Sequence, residues 1–219
     1  MRKYLSCAET AKLVRQAVKE AFPGIKFSVK SKTYAGGASI TVGWTDGPTG
    51  KQVDAVIEKF AGGYFDGMID YKGSRYHKLD GEEVHFGADF IFSNRHYSDA
   101  LIAKGIAAVV AAYGGAEPIS VDEYKQGGAW RWRNSGNCDL GRALQGWFSG
   151  VSEISCLKPD PGMPAKDSPT LGRVKFAGDD GYGRGTVGSD PANPSGESCY
   201  KAIEENRARR AAMAQAGLS

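Results

Sequence analysis

Apolar positions along the first half of the chain fall at helical spacing, then alternate, then return to helical spacing. Leu13, Val14, Ala17, Val18 and Ala21 lie on one stripe of a helix. Ser6-Cys-Ala-Glu9 ahead of them reads as a capping box, and Phe22-Pro-Gly24 ends the helix. Residues 25–30 and 39–44 then alternate apolar and polar, as half-buried strands do. The glycine-containing loop SKTYAGG joins them, so the pattern predicts an antiparallel hairpin. Its outer face would carry Lys26, Ser28, Lys30, Ser39, Thr41 and Gly43.

The loop WTDGPTG that follows turns a strand into a helix. Asp46-Gly47-Pro48 is a turn signal, and Thr49-Gly-Lys-Gln52 is a second capping box. Val53, Val56, Ile57 and Phe60 then give a clean amphipathic stripe. Only Trp44 and Asp46 are left without a structural task. Residues 64–72 and 84–92 read as two further strands, with the polar GSRYHKLDGEE as their connection. Ser98 opens a helix to Tyr113 that is apolar on most sides and is expected to be central, packed on the sheet. The order α-β-β-α-β-β-α predicts an α+β fold: an antiparallel sheet with helices packed on one face.

Beyond this domain, 1–114, the rhythm weakens. Residues 115–156 suggest a small helical and loop extension, with a helix near 139–148. Residues 157–196, rich in glycine and proline, read as a linker or long loop, and 197–219 as a polar C-terminal helix. The glycine-rich run 176–188 lacks the Gly-Lys-Ser/Thr ending of a phosphate loop.

Composition narrows the class. With 219 residues, 41% hydrophobic and 24% charged, the chain is ordinary for a globular protein. It has no run long enough for a membrane helix and no apolar signal region after Met1, so the expectation is a cytoplasmic protein of a bacterial host, with no membrane partner. Cys7, Cys138, Cys156 and Cys199 have neither zinc nor redox spacing. The net charge of +3 is mild, but residues 1–32 hold eight Lys/Arg against Glu9 and Glu20. That asymmetry draws attention to the N-terminal segment.

Three chemistries compete with plain structural roles for these side chains. Asp46 with Asp70-Tyr-Lys72 has the acid and Asp-x-Lys skeleton of a metal-dependent nuclease, although a helix intervenes and solvated strand charges explain the residues equally. His77, His85 and His96 match no zinc spacing. The third is a binding face. Lys26, Lys30 and Lys32 with Tyr34 suit a phosphate backbone and stacked bases, or they protect a sheet edge. Trp130-Arg-Trp-Arg133 suits nucleic acid or a protein hot spot, or its tryptophans are core. No catalytic set, metal or cofactor is indicated, so a non-enzymatic protein is expected.

The motifs FPGIKFSVKS, SITVGWTDGPT, FDGMID and FGADFIFSNR in combination resemble the large polyvalent protein-associated domain family, the twenty-ninth of that series, over residues 4–113. The resemblance implies a gene of a plasmid, phage or conjugative element, in the company of anti-restriction and other counter-defence functions. It implies no catalytic residues. The expected function is a counter-defence protein, of anti-CRISPR or anti-restriction type, that binds a bacterial defence complex stoichiometrically. The alternatives are a DNA- or RNA-binding accessory module for mobile-element transfer and the nuclease.

Overall fold

A computed structural model describes residues 3–113, 117–150 and 157–180. Helix α1 (Cys7–Ala21) starts at Ser6, whose side chain accepts from Glu9 N while the Glu9 carboxylate accepts from Ser6 N at 2.8 Å. Helix α2 (Gly50–Ile57) is fixed in the same way by Thr49 and Gln52. Both capping boxes satisfy backbone N–H groups that the first helical turn leaves without partners. The buried stripes, Val14, Ala17, Val18 and Ala21 on α1 and Val53, Val56 and Ile57 on α2, meet in one core.

That core is covered by strands β2 (Ser28–Tyr34), β3 (Gly37–Thr45) and β7 (Phe90–His96). β2 and β3 form the expected antiparallel hairpin, turned by Ala35 and the positive-φ Gly36. Alternation along β3 sends Ala38, Ile40, Val42 and Trp44 inward and leaves the intervening residues outside. β7, however, pairs with β3 in parallel. The expected single antiparallel sheet is therefore corrected to two mixed sheets, within an α+β fold.

The second sheet contains β1 (Lys3–Leu5), β4 (Gly63–Asp66), β5 (Tyr71–Leu79), β6 (Glu82–Phe86) and β8 (Val174–Asp179), with β1 parallel to β6. The predicted strand 64–72 is broken at 67–70, where Asp70 takes a positive φ. The segment read as a polar connection forms most of the β5–β6 hairpin. Asp80-Gly81, both at positive φ, is the two-residue turn whose twist matches paired strands. The predicted strand 84–92 is divided between β6 and β7, one in each sheet.

Helix α3 (Asp99–Tyr113) does not pack centrally on a sheet. Its main partners are α4 (Val121–Lys125) and α5 (Leu140–Ser149), in a second core with Trp132, Leu144, Trp147 and Phe148. Gly105 permits the close approach, since a Cβ there would lie 2.8 Å from Leu144 Cδ1 and 2.9 Å from Trp147 Cε3.

Of the linker or long loop expected at 157–196, the structure describes 157–180, of which 157–168 have no regular structure. This segment crosses both cores, forms the short helix α6 (Pro169–Gly172), and adds β8 to β5. Glu20 holds it by accepting from Ser168 Oγ at 2.7 Å and from Thr170 N at 2.9 Å, while Val174 enters the first core. The remainder of that linker, the expected C-terminal helix, Cys156 and Cys199 lie outside the described residues. No helix among the described residues is long and apolar enough to cross a membrane.

Candidate nucleic-acid interface

The outer face of the β2–β3–β7 sheet is open, and pairing register aligns its side chains in rows. Lys30 stands opposite Thr41, and Thr41 beside Phe92. Two residues along, Lys32 stands opposite Ser39, and Ser39 beside Phe90. Each row therefore runs cation, hydroxyl, aromatic ring. A third row, Ser28, Gly43 and Asn94, continues the face with small and polar groups, and His96 lies beside Thr45.

The geometry follows from the strand period. Because Val29, Ile40 and Val42 are buried, the residues between them must point to solvent. The central strand carries only small side chains there, so long lysines on one edge and rings on the other stand above a shallow floor. Phe92 is 55% exposed, and its ring stacks on that of Phe90 with centroids 6.3 Å apart. A groove of about 270 Å³ on this face is lined by Lys26, Ser28, Lys30, Thr41, Asn94 and His96 among others, with no carboxylate in its walls. Unopposed positive charge of this kind attracts anions.

Lys72 adds a cation beside the second row, 5.9 Å from the centre of the Phe90 ring. It is held by Asp89 at 2.8 Å and donates to Gly36 O at 3.0 Å, which ties β5 to the β2–β3 turn. Tyr34, 46% exposed, is paired with Gly37 at the end of the same hairpin. The sequence thus indicated the lysines and Tyr34, but not Phe90 and Phe92. Their signal is the alternation within FIFSN, which a single strand over 84–92 conceals.

The Trp130–Arg133 group divides. Trp132 is only 5% exposed, and its indole donates to Glu117 O at 2.8 Å, so it belongs to the second core. Arg133 is paired with Asp139 at 2.9 Å. Trp130 is 66% exposed and lies under the Arg131 guanidinium at 4.5 Å. Only Trp130 and Arg131 are presented outward as a stacked pair.

The nuclease residues do not assemble. The Lys72 ammonium, reaching from β5, meets Gly36 just before β3, whereas Asp46 follows the far end of that strand, about 27 Å of extended chain away. Asp46 instead accepts from Ser98 N at 2.8 Å at the entry to α3, and exposed Asp70 takes a turn conformation. Trp44 is also occupied, packed on Phe27 and donating to Pro48 O at 2.9 Å. His77 is buried in the second sheet beside Phe86 and Phe176, and burial, with Arg75 and His85 nearby, lowers its pKa to about 4. Among the described residues no group of three or more His, Cys, Asp or Glu could hold a metal ion.

Fold and surface together define an α+β domain with an open sheet face whose groove carries no carboxylate in its walls. Residues 5–98, a little under half of the chain, match the model of large polyvalent protein associated domain 29. The family is associated with polyvalent proteins of mobile elements. The match contains all three rows of the sheet face and ends at Ser98, before α3. No curated protein and no solved structure matches the chain.

Proposed function

We propose that this chain is a nucleic-acid-binding accessory module of a mobile genetic element, with the outer face of β2–β3–β7 as its contact surface. The observation that carries this reading is the pair of lysine–hydroxyl–phenylalanine rows. Ammonium groups neutralise phosphates and release their counterions, while rings offer stacking surface. Phe92 shares an open groove with the exposed Phe65 and Met68, and a contiguous apolar surface of this kind marks an interaction site. The test is fluorescence anisotropy with labelled oligonucleotides. Lys30→Glu with Lys32→Glu should lower affinity by tenfold or more, roughly the effect of losing two phosphate contacts and adding repulsion. Unchanged affinity rejects the reading.

A second reading is the counter-defence one: stoichiometric binding to a bacterial defence complex. It is supported by Trp130 and Arg131, residue types that dominate protein hot spots and that are exposed here as a stacked pair. A pull-down from lysate containing CRISPR and restriction systems tests it. A defence subunit retained after nuclease treatment, and lost with Trp130→Ala, supports it. Loss of every partner on nuclease treatment contradicts it.

A further inference from the structure

We infer that the sheet face takes a single strand, one nucleotide per row, with phosphates on the β2 lysines and bases stacked on Phe90 and Phe92. The inference rests on the nucleic-acid reading of this face and specifies its ligand.

The two rows repeat the same order of chemistry across the sheet. Each has its cation on β2, its hydroxyl on β3 and its ring on β7. Rows are two residues apart, about 6.7 Å along the strand, while β2 and β7 are two strand spacings apart, about 9.6 Å. A polynucleotide lying along β3 would keep its backbone on the lysine side and its bases on the ring side throughout. Beyond the rings the surface falls into a groove of about 570 Å³, walled by Phe65, Met68 and Arg75 and also by the carboxylates Glu58 and Asp66. That space is predominantly apolar and open, so a splayed base has room beyond the ring on which it stacks.

A duplex does not fit this chemistry. Its bases are already stacked on their neighbours, and their faces are unavailable to a side chain. The lysines alone could touch a duplex backbone, but the exposed Phe92 would then remain wet. The rows also supply nothing that reads the sugar specifically. Ser39 and Thr41 are short, and the cation and ring meet groups common to DNA and RNA. The ligand class is therefore any unpaired strand, bound with little preference for sugar or sequence.

The experiment is a set of anisotropy titrations of the full chain with labelled oligo-dT, oligo-U and a mixed-sequence duplex of equal length. Oligo-dT and oligo-U should bind within about threefold of each other, and both about tenfold or more tighter than the duplex. Phe92→Ala should weaken single-strand binding by about tenfold and leave duplex binding unchanged, whereas Phe92→Tyr should retain it. Phe92 is largely exposed, so circular dichroism of Phe92→Ala should match the parent. Equal affinity for duplex and single strand, or indifference to Phe92→Ala, overturns the inference. If lysine dependence persists in that case, the broader nucleic-acid reading stands. Absence of binding to every oligonucleotide overturns both.

Discussion

Arg95 Nη2 lies 2.7 Å from Asp160 Oδ2, and both side chains are nearly sealed from water, at 4% and 6% exposure. The guanidinium also donates to Gly47 O at 3.0 Å and to Phe148 O at 2.9 Å. One side chain of β7 thus joins the strand-to-helix loop, helix α5 and the returning segment 157–180. The pair places the second core relative to the sheet that carries the proposed interface.

Removing one partner of a buried ion pair leaves the other charged and unpaired. Asp160→Asn should destabilise the protein by about 3–5 kcal/mol. Urea denaturation checks this. A loss below about 1 kcal/mol, the range of surface pairs, would contradict the burial of the pair.

Glu20 anchors the same returning segment at another point. Hydrogen bonds from Ser168, and further ones from Thr170 and Gln16, hold its pKa at about 2, against an ordinary 4.5. A carboxylate with a lowered folded-state pKa stabilises the fold fully above its unfolded value and loses that contribution as pH falls through the folded one. Stability should therefore decline from about pH 4.5 towards about pH 2. Glu20→Gln should flatten that decline, and should speed hydrogen exchange at Thr170 and Leu171 at neutral pH.

His77 gives a second pH dependence. It is neutral when folded because burial lowers its pKa from 6.5 to about 4, and its Nδ1 has no hydrogen-bond partner. The unfolded chain binds a proton at this site at a higher pH than the folded one does. Stability is thus greatest above 6.5 and falls as pH drops towards 4. His77→Phe, beside Phe86 and Phe176, should remove this slope without loss of stability at pH 7. Persistence of the slope in the variant would assign it to other groups.

Gly105 tests the second core. Gly105→Ala should cost about 1–3 kcal/mol by forcing Leu144 and Trp147 away from α3. A variant as stable as the parent by thermal unfolding would mean that α3 and α5 pack less closely than the contact distances require.

Much of this was legible in the residues. Both capping boxes, the β2–β3 hairpin and the inward stripes of α1 and α2 followed from local chemistry, because each is decided within a few positions. Strand partners were not, since parallel pairing of β3 with β7 joins segments about fifty residues apart and leaves no local mark. The β5–β6 hairpin was missed although Asp80-Gly81 signalled it; polar strand residues around the turn masked the pattern. The return of 157–180 was hidden for another reason. Its anchors are single polar side chains, Asp160, Ser168 and Thr170, whose partners lie far away in the sequence. Of the proposed interface, the lysines were visible and the rings were not, because a ring's exposure depends on which face of β7 is covered.

The central claim, that the lysine-bearing sheet face binds nucleic acid, is tested most directly by the salt dependence of binding. Affinity for oligo-dT should fall linearly on a log–log plot against salt. Lys30→Gln with Lys32→Gln should reduce the magnitude of that slope by about 1.4, at roughly 0.7 per phosphate contact on a single strand. An unchanged slope would mean that these lysines touch no phosphate, and would contradict the account.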